Sequence, residues 1–337
     1  MSLETLWFAV IAVLFMGYLF LEGFDYGVGM LLPFLGRTDQ ERRALLATIG
    51  PVWDANEVWL ITAGGALFAA FPNWYATLFS GFYLGLALLL GGLIVRGVGI
   101  EFRSKDRHPA WRRRWDALIA VGSAIPPIVW GLAMGNMLHG VAINAQMNYV
   151  GGFLALINPY AVLGAIAAVL LFLLHGALYL DLKAPEALAE RAHRWAYPIG
   201  IAATVSYFLF VVLSYFYANF VHRLGVDPGP IPIMAGLSMV AIRVFLPGRH
   251  RVAAFWAGAL TIVLSTASVF LALYPRVMIS TLNPRWSLTI YNAASNPYSL
   301  KVMTIVAVTV LPIVLAYQAW SYWIFRRRVS FKDTFHY

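Results

Sequence analysis

The sequence predicts an all-α integral membrane protein of about nine transmembrane helices, N-terminus outside and C-terminus in the cytoplasm. Three observations carry this. Of the 337 residues, 61% are hydrophobic and only 12% charged, about half the charged fraction of a soluble domain, so the chain has too few polar groups to cover itself in water. Apolar runs of roughly 20 residues, the length that spans a bilayer, recur from end to end. Lys and Arg collect in alternate gaps between those runs, which is the positive-inside pattern.

Taken in order, the spans fall at residues 4–34, 50–71, 76–100, 115–139, 159–181, 198–221, 230–246, 252–274 and 300–325. The first is preceded by Ser2 and Glu4 with no Lys or Arg, and the stretch Leu6–Leu35 is too long for a signal peptide's apolar region, so it reads as a retained helix. The seventh is the weakest, being short and opening with Pro228, Pro230 and Pro232. Charge argues for keeping it. With nine spans, 19 of the 24 Lys and Arg lie on one side, from Arg37 through the Arg326–Arg328 run to Lys332. The other side holds Arg223, Arg276, Arg285 and Lys301, and Arg96 lies within a span. With eight spans the basic tail would fall on the wrong side.

The spans group into a charged core bundle over residues 1–140 and a second bundle plus peripheral helix over 158–326. The outer segment Pro275–Ser299, containing Asn, Ser and Pro, reads as an ordered or semi-ordered loop. Asn-Pro-Tyr precedes the fifth and ninth spans, at 158–160 and 296–298; Asn-Pro is a common helix-start signal. The pairs Gly23/Gly27, Gly81/Gly85 and Gly131/Gly135 have the spacing that lets helices approach closely in lipid. None follows a strand, so none is a nucleotide loop.

Composition excludes several chemistries. The chain has no cysteine, which removes disulfides, thiolate zinc sites, iron–sulfur clusters and covalent haem attachment. Its net charge of +9 follows from membrane topology and gives no reason to expect a nucleic-acid partner.

Four acids lie inside spans. Glu22 and Asp25 are three apart on the first helix, and Asp54 and Glu57 repeat that spacing on the second, so each pair shares a helix face. The two helices form a hairpin with its turn near Asp39 and Gln40, about fifteen residues from Asp25 and about fourteen from Asp54; at equal rise per residue the acids lie at one depth in the cytoplasmic half. A carboxylate in lipid costs about 2.5–3.5 kcal/mol on insertion scales, so the four must face protein, a partner or water. Arg96, at comparable depth, is the expected counter-ion, and Asp116 opens the fourth helix on the same side. A structural ion-pair network and a proton relay fit this pattern equally well, and they are compatible. One Arg cannot neutralise four carboxylates, and a protonatable cluster open to the cytoplasm is what proton delivery requires.

The histidines argue against a haem held by this chain. His108, His193, His250 and His336 fall in loops or the tail, His139 and His222 at outer helix ends, and only His175 is deep. A lone interior His is more often a packing residue, although a single His175 ligand paired with a Met stays open. Trp53 and Trp59 flank the acids of the second helix. Trp53 sits too deep for an interfacial belt and suggests cofactor packing or a cavity wall.

The stretches EGFDYGVGML (22–31), GPVWDANEVWLITAGGALFAAFPNWYATLFSGFY (50–83), RGVGIEFRSK (96–105) and WDALIAVGSAIPPIVWGLAMGN (115–136) resemble subunit II of the cytochrome bd quinol oxidases. The likeness continues more loosely through NPYAVLG (158–164) and VMTIVAVTVLPIVLAYQAWSYW (302–323). The resemblance implies a non-haem-ligating membrane subunit of a quinol:oxygen oxidoreductase that takes protons from the cytoplasm, in the cell membrane of a bacterium or archaeon. Haems b558, b595 and d would be ligated by subunit I, a partner of similar size. A bound quinone and a small single-helix subunit stay open. It places Asp54 in the proton route, Trp59 near the hydrophobic oxygen entrance, and Asp25, Arg96 and Asp116 among charged positions of the core. The resemblance carries no role over to Glu57. The loop after the sixth span is short and gives no support to a quinone site. The competing class is a proton-coupled secondary transporter. Carriers show inverted repeats and broken mid-membrane helices, whereas here the acids lie in the first four helices with no matching set later.

Overall fold

The computed structural model describes residues 2–217 and 230–331. The expected end of the sixth span, His222, Arg223, Pro228, Lys332 and His336 lie outside those residues.

The first helix, α1 (Leu3–Leu35), starts where Ser2 accepts a hydrogen bond from the Thr5 amide, and it ends at Gly36. A short helix, α2 (Asp39–Ile49), follows at once. It opens with a reciprocal cap in which Thr38 accepts from the Glu41 amide and Glu41 accepts from the Thr38 amide. The expected turn near Asp39 and Gln40 is therefore a helix start. The polar opening Asp39–Arg43 lacks the apolar length of a span, so hydropathy passes over it.

The next pass is α3 (Trp53–Ala70). At Phe71 the backbone leaves the helix (φ −134°, ψ 68°) and Pro72 opens α4 (Pro72–Gly81), as expected of a proline at a first helical position. After Phe82 the chain continues as α5 (Tyr83–Phe102), so the span expected at 76–100 is two helices. Then come α6 (Pro109–His139), α7 (Pro159–Lys183), α8 (Glu186–Tyr217), α9 (Pro230–Phe245), α10 (Arg251–Leu273) and α11 (Pro297–Ile324). Among the described residues seven helices are long and apolar enough to cross a membrane, α9 being a shorter apolar helix. The expected count of nine adds α9 and the 18-residue α3.

Packing centres on α1, which touches α3, α6, α7 and α10. The contacts α1–α7 and α6–α7 thus join the two expected bundles into a shared wall. Glycines set how closely that wall packs. A Cβ on Gly27 would stand 2.1 Å from the Phe172 carbonyl and 2.7 Å from the Gly176 Cα, and one on Gly131 would stand 2.4 Å from the Ala165 Cα. These are backbone-to-backbone approaches of the small-residue kind. The pair Gly81/Gly85 does not make one: Gly81 lies under the Tyr149 ring and Gly85 meets only Val129. At the other extreme, α11 buries only Leu300 and Gln318, so it lies on the periphery.

The Arg-poor end is capped by ordered loops. Strands β1 (Arg276–Met278) and β2 (Leu288–Thr289) pair antiparallel. Val141 donates to the Ile279 carbonyl at 2.9 Å and Ser295 to the Ala70 carbonyl at 2.8 Å. Both Asn-Pro-Tyr sequences are helix starts, with Asn158 and Asn296 accepting from the amides of Ala161 and Ser299.

Candidate functional site: a buried acid cluster around Arg96

Three helices meet at one guanidinium. Arg96 on α5 is fully buried, and so are Glu22 and Asp25 on α1. Nη1 of Arg96 donates to Glu22 Oε2 at 2.7 Å and Nη2 donates to Glu22 Oε1 at 3.1 Å. This is the two-pronged arrangement that makes Arg–carboxylate pairs strong. Nη2 also reaches Glu57 Oε2 on α3 at 3.2 Å. The guanidinium lies 4.9 Å from the Tyr26 ring centroid and 5.8 Å from that of Trp53, within cation–π range. Trp53 therefore packs on Arg96, which accounts for a tryptophan at this depth.

The cluster grades outward. Glu22 is sealed, Glu57 is 20% exposed, and Asp54, one turn from Glu57, is exposed. Asp54 stands within electrostatic reach of Glu22 and Glu57. The chain itself covers Glu22 and Asp25, so a partner has only Glu57 and Asp54 left to cover.

Asp25 does not bond to Arg96. It accepts from Asn56 Nδ2 at 2.7 Å, and Asn56 Oδ1 accepts from Tyr322 on α11 at 2.7 Å. Its other oxygen, Oδ1, is buried with no hydrogen-bond partner among the described residues. Trp59, half-buried, fills the space beside Gly17 and donates to Gln318 Oε1 at 2.8 Å. Asn56, Gln318 and Tyr322 thus couple the acids to the peripheral helix. A sequence reading confined to charged residues passes over them, although a buried Asn one turn before Trp59 is a usable signal.

Asp116 belongs to a different network from Arg96. It pairs with Arg103 at 2.5 Å and Arg42 at 2.6 Å, and Asp39 adds Arg103 at 3.0 Å and Arg112 at 2.5 Å. Arg103 is itself buried. This network ties α2 to α6 and to the end of α5 at the Arg-rich end. Nearby, Glu41 pairs with Arg191 at 2.9 Å. Hydrogen bonding from Arg191, aided by the Arg37 amide, lowers the Glu41 carboxyl to about 2.

His175 is buried against Phe20, Phe24 and Phe255, its ring stacked on Phe255 at 5.0 Å and 12°. Nε2 is 3.3 Å from the Phe20 carbonyl. Phe20 and Phe24 meet the ring at 47° and 61°, so the imidazole is enclosed by aromatic side chains as a packing residue is. Among the described residues no group of three or more His, Cys, Asp or Glu is placed to hold a metal ion.

Fold and site define a polytopic helical membrane protein whose ion-paired acid core reaches the surface at Asp54. Residues 3–325 match the sequence profile of a family described as cytochrome bd terminal oxidase subunit II. The chain is 42% identical over 336 residues to the cytochrome bd ubiquinol oxidase subunit 2 of Bacillus subtilis (strain 168), covering 100% of this chain and 99% of that one. It is 37% identical over 364 residues to the cytochrome bd-I ubiquinol oxidase subunit 2 of Escherichia coli (strain K12), covering 98% and 96%. Its fold superposes on a chain of the bd oxidase from Geobacillus thermodenitrificans with a TM-score of 0.77 at 19% identity, covering 96% and 99%. The chain belongs to the cytochrome bd terminal oxidase subunit II family. It is accordingly a membrane subunit of a terminal oxidase, and the transporter reading is set aside.

Proposed function

We propose that this chain is the non-haem subunit of a quinol:oxygen oxidoreductase in a bacterial cell membrane, and that its acid cluster conducts protons from the cytoplasmic side toward the partner. Oxygen reduction by the haems of the complex consumes protons. Haems b558, b595 and d are assigned to subunit I, which covers Asp54 and Glu57; a small third subunit and a bound quinone stay open. The observation that carries the reading is the graded series Asp54, Glu57, Glu22: an exposed acid one turn from Glu57, then a part-buried and a sealed acid that both bond Arg96. Asp54 is the point of entry. Asp25, with one oxygen that has no hydrogen-bond partner among the described residues, is a second carrier. Arg96 holds the series in place, Trp53 shields it, and Trp59 is assigned to oxygen access or cofactor packing beside subunit I.

The test is Asp54→Asn, which keeps size and hydrogen bonding but carries no proton. Oxygen consumption should fall, while haem content and yield of the complex stay near wild type. Because Glu57 is one turn away, the double variant Asp54→Asn with Glu57→Gln closes the alternative route. Full assembly with wild-type oxygen consumption in the double variant would remove these acids from the obligatory path.

A further inference from the structure

We infer that the cavity between α1, α7, α10 and α11 at the Arg-rich end is a binding site for one anionic phospholipid. The cavity has a volume of about 890 Å³, inside the roughly 300–1,000 Å³ range of ligand pockets. Its walls are apolar, among them Phe24, Phe255, Trp256, Leu315 and Ala319.

The polar side chains of the interior are already engaged. Tyr179 donates to the Thr48 carbonyl at 2.8 Å, Thr48 to the Leu45 carbonyl at 2.6 Å, and Tyr322 to Asn56 at 2.7 Å. Gln318 accepts from Trp59 at 2.8 Å. These hydroxyl donors are thus spent within the protein, and the apolar walls suit hydrocarbon chains, which need no polar partner.

The mouth is the opposite. The chain after α11 folds back across it, pinned where Lys183 donates to the carbonyls of Phe325 and Arg327 and where Val329 donates to the Lys183 carbonyl. That turn sets Arg326, Arg327 and Arg328 side by side at the rim. Glu186 takes the Arg328 guanidinium. Arg326 lies over the Trp323 ring at 4.4 Å. Arg326 and Arg327 are exposed and have no acidic partner among the described residues. Two exposed guanidiniums above an apolar cleft, Arg326 giving one N–H to the Trp323 carbonyl at 2.6 Å and keeping its others, complement a phosphate with attached acyl chains, since the planar Arg fork matches phosphate oxygens. The Arg-rich end faces the leaflet where anionic lipids attract basic residues.

The experiment uses the complex purified in mild detergent, stripped of lipid and placed in phosphatidylcholine nanodiscs containing graded phosphatidylglycerol. Native mass spectrometry then counts retained phospholipid. Wild type should keep one phosphatidylglycerol in preference to phosphatidylcholine. Arg326→Gln with Arg327→Gln should weaken that retention about tenfold or more, since each basic residue near a membrane surface contributes on the order of 1 kcal/mol. Ala319→Trp, which fills the cleft and leaves the rim intact, should abolish it. Because both arginines are surface residues, their replacement tests the charge even where Ala319→Trp fails to fold. Equal retention of the two lipids, unchanged retention in the double arginine variant, a stoichiometric quinone in the cleft, or a protein chain cross-linked into it in place of lipid would each overturn the inference.

Discussion

Replacing Arg96 by Gln should destabilise the complex before it alters chemistry. The change removes three hydrogen bonds, two to Glu22 and one to Glu57. It leaves Glu22 fully buried without its counter-ion. Breaking a buried pair by removing one partner typically costs about 3–5 kcal/mol. At roughly 2 °C per kcal/mol for a large chain, the melting temperature of the purified complex should fall by about 6–10 °C. Haem per protein, from a pyridine haemochrome, should fall with it. The charge argument is separable from shape. Glu22→Gln added to Arg96→Gln replaces the ion pair with two neutral amides of similar volume, and such exchanges are often near neutral, so at least half of the lost stability should return. Arg96→Lys keeps the charge but loses the planar fork and should fall between. A wild-type melting curve and haem content in Arg96→Gln would refute the reasoning. So would a double variant less stable than the single one, because that would place the cost in packing on Tyr26 and Trp53.

Further outcomes follow from the same structure. Gly176→Leu should cost at least the ~1–3 kcal/mol of core overpacking, because the α1 backbone at Gly27 stands 2.5 Å from where its Cβ would be; yield and melting temperature check this, and an unchanged melt would show that the crossing is loose. Glu41 is lowered from its ordinary 4.5 to about 2 in the folded chain, so its contribution is fully present above about pH 4.5 and is lost as pH falls toward 2. The melting-temperature gap between wild type and Glu41→Gln should shrink across that window and stay constant above it. The chain purified alone should bind less than stoichiometric haem, since its one deep histidine, His175, is buried with Nε2 at 3.3 Å from the Phe20 carbonyl; a pyridine haemochrome near one haem per chain would contradict this.

Much of the fold was legible because hydropathy and charge are local properties of the chain. Apolar length located the long helices, and the basic loops marked one end, where Arg42, Arg103, Arg112, Arg191 and Arg251 all meet acids of the same end. The i, i+3 spacing put Glu22 with Asp25, and Asp54 with Glu57, on common faces, and Arg96 was recognisable as a counter-ion. Helical periodicity gives no azimuth of one helix against another. That angle is set by close contacts such as those of Gly122 on α6 with Gly92 and Arg96 on α5, and of Gly29 on α1 with Ser123 on α6, and it decides which acids reach the guanidinium. Only the packed structure assigns Glu22 and Glu57 to Arg96, turns Asp25 toward Asn56 and Tyr322, and sends Asp116 to Arg42 and Arg103. Nor did hydropathy register α2, which opens on polar residues, or the break at Phe82 within the span expected at 76–100, which interrupts no apolar run. The sequence by itself determined a helical membrane protein with buried acids at one depth; tertiary contact decided their partners, because hydrogen bonds between helices depend on sub-ångström closeness that no one-dimensional pattern encodes.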